Sequence, residues 1–94
     1  LSTLKILEIR KSLIKKGFIE EPDGKHIYYF FYYEGKKSSI STHISHGDIE
    51  IGDPLIHDMS KETNLTKREF IKLIDCHMSM GQYIKIQKGK NVLK

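Results

Sequence analysis

The apolar positions along this chain keep two different periods. From residue 4 to residue 14 they recur at helical spacing: Leu4, Leu7 and Ile14 share one stripe, and Ile6 and Leu13 broaden it. That pattern predicts an amphipathic helix over residues 2–16. Ser2 or Thr3 can cap it, Lys11, Lys15 and Lys16 suit the negative end of its dipole, and Gly17 is the expected stop. From residue 18 the period shortens. "FIEE" (18–21) reads as a short strand, and "EPDGK" (21–25) as a turn with Pro22 in second position.

"HIYYFFYY" (26–33) and "SSISTHIS" (38–45) then form a hairpin across "EGKK" (34–37). The second strand alternates cleanly, with Ile40, Thr42 and Ile44 on one face and Ser39, Ser41, His43 and Ser45 on the other. A two- or four-residue loop sets Tyr33 opposite Ser38, Phe31 opposite Ile40, Tyr29 opposite Thr42 and Ile27 opposite Ile44. Ile27, Tyr29, Phe31 and Tyr33 then face the core, because register and burial are coupled in a two-faced strand. His26, Tyr28, Phe30 and Tyr32 form the outer row, over Ser45, His43, Ser41 and Ser39. A three-residue bulged loop would exchange the two sets.

Residues 46–52 read as a loop with a short extended piece at 49–51. Asp53 is expected to cap a helix with Pro54 at its first position, carrying Leu55, Ile56 and Met59 inward to about Thr63. Thr66 and Glu69 make a capping box for a helix over 67–77 with Phe70, Ile71, Leu73 and Ile74 inward. Ser79 and Gln82 repeat that signature ahead of Tyr83 and Ile84, and "KGKNVLK" reads as frayed. The order is α-β-β-β-α-α-α, an α+β layer with a three-stranded antiparallel sheet and helices on one face. Residues 1–94 read as a single domain.

Composition changes this picture little. The chain has 94 residues, a net charge of +4 and a single cysteine, Cys76, which excludes an internal disulfide and suits a reducing cytoplasm. Cys76 reads as a small core thiol. No apolar run approaches a membrane span, and the opening residues do not read as a secretory leader, so none is expected. Its opening on Leu1 leads us to expect native residues ahead of it. The mild positive balance permits a polyanion partner, and Lys85, Lys88, Lys90 and Lys94 make a basic tail.

The candidate chemistry lies in the outer row. His26 follows a glycine turn and sits among rings. An imidazole can take and return a proton near neutral pH, and RNA can attack its own phosphate through its 2′-hydroxyl. Aromatic neighbours can stack unpaired bases. The bland alternative is an unused surface histidine at a strand start. His43, His46, Asp48 and Glu50 lack the spacing of a closed zinc shell, so no metal or cofactor is expected. Lys11 and Lys15, with Lys5 and Lys16 nearby, could hold phosphates or be no more than a solvated face.

At this point the residues meet a family. Lys15-Lys16-Gly17-Phe18 closes the first helix, Gly24-Lys25-His26 opens the second strand, His46 stands in the loop after the third, and "IGDPLIHDMSKETNLT" leads into a capped helix. In these features the chain resembles the HicA-like (YcfA-like) proteins, small RNA-cleaving toxins (mRNA interferases) paired with a HicB antitoxin. The resemblance spans roughly residues 4–65, about two-thirds of the chain. It departs at Lys25, where the family usually has Ser, at Ser45, where Pro often precedes the loop histidine, and in a helical extension over 66–94.

The resemblance implies a double-stranded-RNA-binding-domain type of fold, α-β-β-β-α, over residues 1–65. It implies metal-independent endoribonuclease activity with His26 catalytic. Gly24, Lys25, Tyr28, Phe30, Tyr32, His43, His46, Lys11 and Lys15 are the candidates for contact with RNA or a HicB-like antitoxin. The alternative is a non-catalytic module that binds RNA or protein through the aromatic face. A third use would bury that face in a homodimer or beneath the extension's helix at 67–77.

Overall fold

The computed structural model describes residues 3–94. In chain order its elements are β1 (Leu4–Lys5), α1 (Ile6–Lys15), β2 (Phe18–Asp23), β3 (His26–Tyr33), β4 (Lys36–Ser45), β5 (Glu50–Ile51), α2 (Asp53–Glu62), α3 (Lys67–Ile74) and α4 (Met80–Gly89). Strands β2, β3 and β4 form an antiparallel sheet in that order, and β1 pairs with β5 as a separate two-stranded ribbon. The architecture is α+β, with the helices layered on one face of the three-stranded sheet.

The first helix starts later than its apolar period suggests. Leu4 and Lys5 pair with Ile51 and Glu50, and the Ile6 amide donates to the Ile49 carbonyl at 2.8 Å. A backbone partner thus satisfies one of the amides that helix starts leave open, and no side chain caps α1. Thr3 is not the cap, and Ser2 lies outside the described residues. The buried stripe also differs from the expected one. Ile6, Ile9 and Leu13 enter the core, whereas Leu7 and Ile14 are 61% and 53% exposed. Lys16 is buried rather than part of a basic row: its ammonium donates to the carbonyls of Leu73 (2.9 Å) and Met78 (2.6 Å). Ser12 Oγ donates to the Ile74 carbonyl. Ser12 of α1 and Lys16, the residue that caps its C-terminus, therefore complete the open C-terminal end of α3, where a cation is also favoured by the dipole.

Both hairpin turns are tighter than expected. Asp23 pairs with His26 and Pro22 with Ile27, so Pro22 lies inside β2 rather than in the turn. It is tolerated there because β2 is an edge strand. The turn is Gly24-Lys25, with Gly24 at φ +60°, the position that type II′ hairpins reserve for glycine. At the other end Glu34 and Gly35 both have positive φ (51° and 77°), the type I′ pattern. Tyr33 consequently faces Lys36, not Ser38. The register shifts between Phe30 and Tyr32, and from there Phe30 faces Ser41, Tyr28 faces His43 and His26 faces Ser45. The irregularity moves the pairing by two residues, so the faces stay as the alternation predicts.

The core gathers Phe18, Ile27, Tyr29, Phe31, Ile40 and Ile44 from the sheet with Ile9, Leu13, Ile56, Phe70, Leu73 and Tyr83 from the helices. Residues 66–94 belong to this core. The Tyr83 ring stands 5.2 Å from Phe31 and 5.8 Å from Phe18, and its hydroxyl donates to the Thr63 carbonyl at 2.9 Å. Burial holds that phenol well above its usual pKa. Gly17, at φ +99°, lets α4 approach: a Cβ there would stand 2.9 Å from Met80 Sδ and 3.0 Å from Phe31 Cε1. Both capping boxes form, Thr66 with Glu69 and Ser79 with Gln82.

Five smaller expectations are corrected. Gly52, not Asp53, is the N-cap of α2, and Asp53 meets the Lys67 ammonium at 2.5 Å. Leu55 turns outward, leaving Ile56 and Met59 as the buried side of α2. Helix α3 ends at Ile74, and Cys76, at φ +71°, is exposed rather than a core thiol. The tail is not frayed throughout, because the Val92 amide donates to the Gln87 carbonyl and Leu93 is buried. Among the described residues no helix is long and apolar enough to cross a membrane.

Candidate functional site

The outer face of the sheet is left open by this arrangement. Helix α3 packs with α1 and α2 on the inner side, so the extension does not cover the aromatic row. His26, Tyr28, Phe30 and Tyr32 are each half-buried by one another and by their strand neighbours, while Ile19 beside them on β2 is 47% exposed. Tyr28 and Phe30 run nearly parallel, their centroids 6.3 Å apart at 24°. Lys37 completes the row. Its ammonium sits 3.7 Å over the Phe30 ring and 3.0 Å from the Glu21 carboxylate. Tyr33, on the inner side, is closed off by Lys88, 5.3 Å from its ring.

The two histidines meet at one end of the row. Strand register sets His43 opposite Tyr28, which makes it the diagonal neighbour of His26. Their rings are 5.2 Å apart at 84°, edge to face. His43 also lies 5.3 Å from Tyr28. On its far side His43 Nδ1 stands 3.6 Å from Glu62 Oε2. Glu62 is held in turn by Thr42, whose hydroxyl donates to Glu62 Oε1 at 2.7 Å. A small cavity of about 80 Å³ opens beside His43, between Ser45 of β4 and Asp58 and Glu62 of α2.

The turn residues join this end. The His46 amide donates to the Lys25 carbonyl at 3.0 Å, which ties the loop after β4 to the Gly24-Lys25 turn. Gly24, Lys25, His26, His43 and His46 are thereby gathered at one margin of the sheet. Lys11 and Lys15 are not among them. Both are exposed on α1, whose buried side faces the inner sheet surface, so they belong to the helix layer. Among the described residues no three of His, Cys, Asp and Glu gather as metal ligands would.

A second polar cluster lies across the sheet. Tyr29 is buried and its hydroxyl donates to Glu20 Oε1 at 2.5 Å. Arg10 Nε donates to the same carboxylate at 3.1 Å, with Nη2 at 3.0 Å. The Tyr29 hydrogen bond first, then the hydrogen bond and charge of Arg10, hold the Glu20 carboxyl below its usual pKa. Burial, and then the Glu20 carboxylate, hold the Tyr29 phenol well above its own.

Sequence reasoning placed the outer row and the partners of His26, Tyr28 and Phe30 correctly, but Tyr32 pairs with Lys37 rather than Ser39, and the groups that support the row were missed. Glu62 and Thr42 reach His43 through tertiary packing, for which the sequence carries no local signal. Lys37 comes over Phe30 through the register shift. Comparison of this chain with protein-family models, with curated proteins and with solved structures gives no significant match.

Proposed function

We propose that this chain is a HicA-like toxin of a type II toxin–antitoxin pair, an endoribonuclease that cleaves mRNA or another RNA in the cytoplasm. In this reading the order α1-β2-β3-β4-α2 is a double-stranded-RNA-binding-domain type of fold, and α3 and α4 are its extension. The observation that carries the reading is the contact of His26 with His43 at the end of an open aromatic row. His26 is the group that takes the proton of a 2′-hydroxyl as it attacks the adjacent phosphate. Tyr28, Phe30 and Tyr32 stack unpaired bases, and Lys25 meets the phosphate backbone. A HicB-like antitoxin would cover the same face.

The test is paired. Wild-type protein expressed alone is expected to arrest growth and to cut RNA in vitro in the presence of a chelator. His26→Ala is expected to relieve the arrest and to lower cleavage by about 10²–10⁴-fold. A wild type that harms no cell and cuts no RNA ends this reading. A second one draws on the Tyr28–Phe30 pair alone: a non-catalytic module on RNA or protein, for which His26→Ala changes binding little.

A further inference from the structure

We propose that His43 is the general acid of the cleavage reaction, acting opposite His26 as general base; the inference rests on the reading that this face cuts RNA. In the attack, the 2′-oxygen loses its proton to His26 and forms a bond to phosphorus. The bond from phosphorus to the 5′-oxygen breaks with its electron pair on that oxygen, which must gain a proton to leave as a neutral hydroxyl. The products are a 2′,3′-cyclic phosphate and a 5′-hydroxyl, and no redox partner is needed. One imidazole cannot serve both oxygens in a concerted step, because they depart and arrive on opposite sides of phosphorus. A second proton carrier is required within the span of one phosphate. His43, with its ring 5.2 Å from that of His26 on the same open face, meets that requirement.

The surroundings divide the roles. His43 faces Tyr28 and His26 of β3 and, from α2, Glu62 and Asp58. Glu62, anchored by Thr42, is placed to form an ion pair with a protonated His43 through Nδ1, which leaves Nε2 free to deliver a proton. His26 faces Tyr28, His43 and, across the turn, Asp23. Among the described residues it has no carboxylate in ion-pair range. The acid is the histidine with a carboxylate behind it, and the base is the one without.

The experiment compares two substrates on the full chain. A dinucleoside monophosphate has a poor leaving group that needs a proton, whereas a uridine 3′-(4-nitrophenyl phosphate) has one that does not. His43→Ala and His43→Gln are expected to lower kcat/KM by about 10²–10⁴-fold on the first and by less than about tenfold on the second. His26→Ala is expected to lose comparable activity on both. The wild-type pH–rate profile rises and then falls; His43 variants lose the falling alkaline limb, and His26→Ala loses the rising acid limb. His43 is a surface position, so thermal melts are expected to match the wild type. Equal losses on both substrates, or a retained alkaline limb in the His43 variants, overturn the assignment. A wild-type rate in the His43 variants overturns it while leaving RNA cleavage standing. Failure of the wild type on both substrates removes the cleavage reading itself.

Discussion

Tyr29 and Phe31 leave β3 on one side, Tyr28 and Phe30 on the other, and the four rings are nearly the same chemistry. Their settings are not. Phe31 is fully buried among Phe18, Tyr83 and the edge of Gly17. Phe30 lies under the Lys37 ammonium on a face that no helix crosses. Apolar surface in the first position stabilises the fold; in the second it stays open, and on the proposed reading it is the material of recognition. The sharpest way to break the contrast is by truncation. Phe31→Ala is expected to cost about 3–5 kcal/mol, a large share of what a domain of this size has. Phe30→Ala is expected to cost about 1 kcal/mol or less. Urea titrations of both variants check this, and equal losses would mean that Phe30 is as fully buried as Phe31.

Binding should reverse the order. Tyr28→Ala and Phe30→Ala are expected to weaken a single-stranded RNA by about 1–3 kcal/mol each, with the folded state retained. Affinity should also fall steeply with salt, as phosphate contacts require. Fluorescence anisotropy on a labelled RNA reads both. Salt-independent capture of a protein partner by the same face would point instead to a protein-binding module.

Much of this contrast was open to sequence reasoning, because alternation in β4 is strict. Ile40, Thr42 and Ile44 fix the inward face of β4, and a two-residue slip leaves Ile27, Tyr29, Phe31 and Tyr33 on that side; only an odd slip, as in a three-residue bulged loop, would have exchanged the faces. The capping boxes at Thr66 and Ser79 are local chemistry and formed as read. The first helix was harder. It carries Leu4, Ile6, Leu7, Ile9, Leu13 and Ile14, enough apolar residues for two overlapping stripes. Which one is buried depends on β1 pairing with β5, where Leu4 meets Ile51, 47 residues away. Lys16 and Ser12 were illegible for the same reason. Their partners are carbonyls at the end of α3, and a polar residue reads as exposed until such a partner is in place. At the site the adjacency of His26 and His43 follows from register, but Glu62 behind His43 is set by where α2 docks.

The inner face has an ionisable partner of its own, and pH separates it from the outer one. Glu20 accepts from Tyr29 and Arg10 on the inner side, while Glu21 meets Lys37 on the outer side. The Tyr29 hydroxyl first, and then Arg10, lower the Glu20 pKa below its usual 4.5. A carboxyl depressed in the folded state contributes stability that is fully present above its unfolded pKa. That contribution is lost as pH falls through the folded value, because protonation then favours the unfolded chain. The Glu20 side chain is 26% and the Arg10 side chain 40% exposed, so solvent screens the charge pair and the effect is under about 1 kcal/mol. Wild-type stability measured from about pH 6 to about pH 3 is expected to fall more steeply than that of Glu20→Gln. Tyr29→Phe removes the hydroxyl that lowers Glu20 first and should flatten the acid limb in the same direction. If Tyr29→Phe keeps the wild-type acid limb, the buried hydroxyl adds nothing to what the Arg10 ion pair supplies.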